Sequence, residues 1–116
     1  MTTLESRTLS VRIERPVADV SAFLADPKNF AAWAAGLDLE QEIVFSQPNP
    51  FGIADHTVLL PGGGEVYVPL RAIRNGTGAE VLFTLFRQPE MTDAAFARDA
   101  EAVQKDLVTL KGVLEP

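Results

Sequence analysis

Histidine is the side chain whose ordinary pKa lies closest to neutrality, and this chain contains one, His56. On a strand it could act as a general acid/base or hydrogen-bond donor toward a cavity, or be satisfied by a backbone carbonyl or water. Asp55 precedes it, but neighbouring strand residues face opposite sides, so the two are no ready dyad. Nucleophilic catalysis finds no support, because no Gly-x-Ser-x-Gly elbow occurs and cysteine is absent. One histidine, with carboxylates that lack helical or hairpin ligand spacing, does not build a metal site. Pro61-Gly62-Gly63-Gly64 has no Lys-Ser/Thr and no helix start behind it, so it reads as a hairpin turn and not a phosphate cradle. No metal and no cofactor is expected.

The remaining polar candidates have structural readings beside functional ones. Arg71 and Glu80 could hold a polar ligand head, or form a cross-strand ion pair worth under about 1 kcal/mol. Tyr67 shares their face and suits an interface. Arg87 ends its strand with the parity of Phe83 and Leu85; it could meet an acidic ligand at a cavity rim or lie solvated. Phe30 and Trp33, three apart, could wall a cavity mouth or pack a short helix into the core.

Composition bounds the function. The 116 residues are 47% apolar and 22% charged, the balance of one globular domain over residues 1–116. A net charge of -6 is a poor footprint for nucleic acid or an anionic membrane, which call for a basic face. No apolar run approaches the roughly 20 residues of a membrane span, and Met1 to Arg7 lacks a basic-then-apolar signal. A cytoplasmic location is expected, consistent with the missing cysteines.

The elements that must position these residues follow from periodicity. Thr8–Glu14 alternates as a half-buried strand. Pro16 opens a helix with the stripe Val17, Val20, Phe23 and Leu24; Asp26-Pro27 ends it and caps a second short helix carrying Phe30 and Trp33, with Gly36 as its stop. Strands are predicted at Glu42–Ser46, Ile53–Leu60, Glu65–Arg74 and Ala79–Arg87. Thr92 then caps a helix whose apolar residues, Phe96, Ala100, Val103, Leu107, Leu110 and Leu114, form one stripe.

Asn75-Gly76 signals a hairpin, and a two-residue loop pairing Arg74 with Thr77 sets Arg71 opposite Glu80. One face then carries Val66, Val68, Leu70 and Ala72 with Ala79, Val81, Phe83 and Leu85, and must be buried under the long helix. An odd loop in the preceding hairpin turns His56, Val58 and Leu60 to that face and Asp55 outward, an even one turns Asp55, Thr57 and Leu59 inward, and burying the more apolar set favours the first.

With these elements in place the chain resembles the START-like (Bet v 1-like, SRPBCC) superfamily, and within it the polyketide cyclase/dehydrase-like proteins. The resemblance rests on Leu9-Ser-Val-Arg-Ile-Glu-Arg-Pro16, Val20-Ser-Ala-Phe-Leu-Ala-Asp-Pro27, Trp33 and Gly52-Ile-Ala-Asp-His56. It rests also on Val68-Pro-Leu-Arg71, Asn75-Gly-Thr-Gly-Ala-Glu80, Phe83-Thr-Leu-Phe-Arg87 and Asp106-Leu-Val-Thr-Leu-Lys111. It implies an α+β helix-grip fold, a curved antiparallel sheet wrapped on the C-terminal helix around a cavity for a lipid, polyketide or other hydrophobic molecule. That cavity is expected to be lined by Val11, Phe30, Trp33, His56, Val58, Val68, Leu70, Phe83, Arg87, Val103 and Leu107. A cyclase-like enzyme would use His56 as acid/base. Between Trp33 and Asn49 the family fits a hairpin, whereas this chain has room for about one strand, leaving roughly five in all. Such a gap exposes a sheet edge, which a homodimer would cover. A cavity-free dimeric interaction module is the further alternative.

Overall fold

The computed structural model describes residues 2–34 and 42–116. Strand β1 (Ser6–Ile13) leads into helix α1 (Val17–Ala25) and a 3-10 helix at Pro27–Ala32. Strands β2 (Glu42–Phe45), β3 (His56–Leu59), β4 (Glu65–Val68), β5 (Leu70–Asn75) and β6 (Gly78–Phe86) follow, and helix α2 (Asp93–Leu114) closes the chain. The strands form two three-stranded antiparallel sheets, ordered β1-β6-β5 and β2-β3-β4. The architecture is α+β.

Pro69 alone separates β4 from β5, and its missing N–H interrupts the ladder there. The pairing itself runs on. Ile53 lies opposite Arg71 in the same register that sets His56 opposite Val68, and the Ala54 N–H donates to the Leu70 carbonyl at 2.8 Å. On the other side the Thr84 N–H donates to the Pro69 carbonyl at 3.0 Å. The predicted strand Glu65–Arg74 is thus one strand bent at Pro69, and the two sheets are halves of one curved surface. Gly52 permits the close approach at the bend: its φ is +74°, and a Cβ there would meet the Ala72 carbonyl oxygen at 2.2 Å.

The hairpin at Gly76 differs from the expected register. Asn75 pairs with Gly78 and Arg71 with Leu82, so the Arg71–Glu80 ion pair does not form; Glu80 accepts from Asn75 Nδ2 instead. A two-residue slip preserves the faces. Leu70, Ala72, Ala79 and Val81 are buried as expected. In the preceding hairpin the Leu60 N–H donates to the Gly64 carbonyl, enclosing the odd loop Pro61 to Gly63, and His56 turns inward. Leu60, at the tip, is exposed and not part of the buried face.

Helix α2 packs on β1 and β6 through Ala100, Val103, Leu107, Leu110 and Leu114, and Thr92 Oγ1 accepts from the Ala95 N–H at its start. Its far end is tied to β1: Lys111 Nζ donates to the Arg12 carbonyl, and Arg15 donates to the Leu114 carbonyl. Asp26 caps the 3-10 helix through the Lys28 N–H, with Pro27 in its first position. The stop predicted at Gly36 lies outside the described residues.

Candidate functional site

His56 opens β3 and is 3% exposed. Three phenylalanines surround it: Phe30 from the 3-10 helix at 5.1 Å between centroids, Phe45 from β2 at 5.9 Å and Phe83 from β6 at 6.4 Å. Burial among these rings pushes the imidazole pKa below 6.5, and this outweighs the opposing effects of the Ala54 carbonyl and the Asp55 charge. The ring is therefore neutral near pH 7. Nδ1 lies 3.2 Å from the Ala54 carbonyl oxygen. A carbonyl only accepts, so Nδ1 carries the proton and Nε2 presents a lone pair. Among the described residues Nε2 has no hydrogen-bond partner. On this nitrogen the imidazole offers an acceptor and no donor.

His56 lines a cleft of about 260 Å³ where the bent sheet leaves the middle of α2. Its walls are Phe30, Ala34, His56, Val58, Val68, Phe83, Leu85, Asp99, Ala102, Val103 and Asp106. Six of the residues anticipated as lining, Phe30, His56, Val58, Val68, Phe83 and Val103, meet in this cleft. The other five do not. Leu70, Leu107 and Trp33 are core residues, the last packed edge-on against Phe30, and Val11 packs against the same core beneath α2.

Arg87 is engaged elsewhere. Its guanidinium pairs with Asp93 at 2.6 Å and Glu5 at 3.2 Å and donates to the Met91 carbonyl, tying the N-terminal segment to the start of α2. Strand parity places Arg87 beside Phe83 and Leu85, but β6 ends at Phe86, and the acidic partners on either side capture the side chain.

Ala34, Leu85, Asp99, Ala102 and Asp106 are the lining residues that sequence reasoning did not assign to a site. Asp99, Ala102 and Asp106 flank the Val103 position on α2, and their spacing of three, four and seven could have placed them on one helix face.

On the opposite side of the sheet Asp55 is 5% exposed, where an outward carboxylate would ordinarily be solvated. It accepts from the Leu70 N–H, from Arg71 Nε and Nη2 and from Tyr67 Oη. Facing was read correctly and covering was not: Asp55 lies opposite Pro69, within reach of the same-face neighbours Tyr67 and Arg71. Burial pushes its carboxyl pKa up, but the bonds from Arg71, Tyr67 and Leu70 and the Arg71 charge prevail and hold it at about 2, below the ordinary 3.8.

Comparisons with known proteins agree on the architecture. No family model matches the sequence, and no curated protein matches it. Solved structures do. DynU16, a protein of the dynemicin biosynthetic locus, superposes with a TM-score of 0.75 at 17% identity over 95% of this chain and 47% of its own. CalU16 from Micromonospora echinospora gives 0.72 at 15% identity over 95% and 74%, and an AHSA1-like protein from Rhizobium etli gives 0.64 at 18% over 97% and 85%. The chain thus spans about half the length of DynU16. At these identities the likeness is one of fold alone, and this chain shares with these neighbours an α+β helix-grip architecture, here with a shortened sheet. No helix among the described residues is long and apolar enough to cross a membrane.

Proposed function

We propose that the chain binds a small, largely apolar molecule in the cleft between β3, β4, β6 and α2, with His56 Nε2 as hydrogen-bond acceptor for it. The supporting observation is that the largely buried His56, whose Nδ1 is engaged by the Ala54 carbonyl, lines a pocket otherwise walled largely by Phe30, Val58, Val68, Phe83, Leu85 and Val103. A ring nitrogen without a protein partner can take its hydrogen bond from a ligand donor. At about 260 Å³ the space lies just under the roughly 300–1,000 Å³ of typical small-molecule sites, so the ligand is compact. Octanol is a suitable probe: titration should shift the NMR signals of Val58, Phe83 and Val103. Phe83→Trp, which fills the space, should weaken octanol at least about tenfold. Octanol binding retained in that variant would refute the reading.

Acid/base catalysis of the polyketide cyclase-like type is a second reading, favoured by the same bare Nε2, which can take a proton from a substrate held in the cleft. His56→Ala would then abolish turnover of a bound substrate, whereas in a passive binder it alters affinity alone.

The shortened sheet carries the proposed homodimer. Strand β2 has β3 on one side only among the described residues, and Val44 in its middle is 56% exposed. An unpaired edge of this kind pairs readily with a second copy. Sedimentation of the full chain should show a dimer, and Val44→Glu should convert it to a monomer with its circular dichroism unchanged. A monomeric wild-type chain at tens of micromolar would rule this out.

A further inference from the structure

Asp55 and His56 face opposite sides of the sheet, yet they meet at one rung of its ladder. In the register that sets Ile53 opposite Arg71 and His56 opposite Val68, Ala54 lies opposite Leu70, where an antiparallel pair ordinarily exchanges two main-chain bonds. Only one of them forms. The Ala54 N–H donates to the Leu70 carbonyl at 2.8 Å, whereas the Leu70 N–H donates to Asp55 Oδ1 at 2.9 Å. The Ala54 carbonyl, left out of the ladder, is the one that lies 3.2 Å from His56 Nδ1. The hydrogen bond made by one ring nitrogen decides which nitrogen carries the proton. The carboxylate that diverts the Leu70 N–H is itself clamped by Arg71 Nε and Nη2, both at 2.8 Å, and by Tyr67 Oη.

We propose that Asp55 is a positioning residue for the cleft: by taking the Leu70 N–H it reserves the Ala54 carbonyl for His56 Nδ1, and so keeps Nε2 an acceptor that favours ligands bearing an O–H or N–H donor over ligands that only accept. Among the described residues no buried side-chain nitrogen or oxygen is without a partner, so the unpartnered Nε2 is accessible, and the cleft is the space that His56 lines. Without the carboxylate, the acceptor that the ladder offers to Leu70 is the Ala54 carbonyl. Leu70 and His56 then compete for it, and the ring is free to carry its proton on Nε2. The preference among ligands rests on the cleft being the ligand site; the control of the tautomer does not.

The ring-nitrogen NMR shifts of His56 near neutral pH read the tautomer directly. The wild type should carry the proton on Nδ1. Asp55→Ala should move it to Nε2 in most molecules, and Asp55→Asn, which can still accept from Leu70, should restore the wild-type pattern. Tyr67→Phe loosens the clamp but spares the Leu70 bond, so the proton should stay on Nδ1. A proton that stays on Nδ1 in folded Asp55→Ala would overturn the proposal. Should that variant not fold, the wild type decides: a scalar coupling across the hydrogen bond from the Leu70 amide nitrogen to the Asp55 carboxyl carbon supports it, and a coupling to the Ala54 carbonyl carbon overturns it. Octanol should bind the wild type roughly tenfold tighter than methyl hexyl ketone, which has no donor, and Asp55→Ala should narrow the ratio to about twofold or less. An unchanged ratio in a variant whose tautomer has moved would overturn the selection of donors. A tautomer that moves as expected, with neither compound shifting Val58, Phe83 or Val103 in the wild type, would overturn the cleft as ligand site and leave the hold of Asp55 on the imidazole supported.

Discussion

Asp55→Ala is expected to destabilise the protein by about 3 kcal/mol, read as a lower urea midpoint with an unchanged slope. The substitution removes the acceptor of the Leu70 N–H, and Leu70 is 1% exposed. A buried donor left without a partner costs about 1–3 kcal/mol. It also releases Arg71, whose two bonds to the carboxylate are both 2.8 Å long. Because nearly half of the Arg71 side chain is exposed, water takes up much of that loss, which keeps the total below the figure for a wholly buried pair. Asp55→Asn retains an acceptor for Leu70 and should cost less.

The same carboxylate makes stability depend on acid. Its folded pKa of about 2 lies below the ordinary 3.8, so the folded state binds this proton more weakly than the unfolded chain does. The contribution, roughly 2 kcal/mol, is fully present above the ordinary value and is lost as the pH falls from there toward the folded one. Urea midpoints recorded down that range should converge for the wild type and Asp55→Asn. Curves that stay parallel would show that Asp55 carries no such linkage.

Asp55 also marks where the sequence stops being readable. Alternation along Ile53–Leu60 was sufficient to place His56 and Asp55 on opposite faces, and burying the more apolar set favoured His56 inward, whereas the odd loop that fixes this is seen only in the folded hairpin. It was insufficient to show that Asp55 is covered. Covering depends on two long side chains, Tyr67 and Arg71, folding back over it across a strand pair bent at Pro69, and that bend is a matter of three dimensions. The hairpin at Gly76 shows a similar division. The faces of Leu70, Ala72, Val81 and Phe83 follow from parity, which a two-residue slip leaves intact, whereas the partner of Arg71 changes with it. Arg87 was placed by parity alone, and its capture by Asp93 and Glu5 needs the start of α2 to be in position.

Leu107→Ala is expected to cost about 2–5 kcal/mol, and a melting temperature lower by roughly 10 °C or more, without weakening octanol in the folded protein. The apolar stripe of α2 is continuous in the sequence, so Val103 and Leu107 look equivalent there. The fold separates them. Both are buried, but Val103 faces the cleft, whereas Leu107, with 0% exposure, is closed in with Leu110, Ile13 and Val81 in the core under β1 and β6. Truncating Leu107 removes apolar contact on every side and leaves a cavity that the neighbouring strands, fixed by their ladders, fill incompletely. Truncating Val103 enlarges a space that already exists, so Val103→Ala should cost less stability and change ligand affinity more. The pair of variants therefore locates the boundary between core and cleft along one helix. If Leu107→Ala altered octanol affinity as much as Val103→Ala does, the cleft would have to extend toward the C-terminal half of α2, into what is here the packed core.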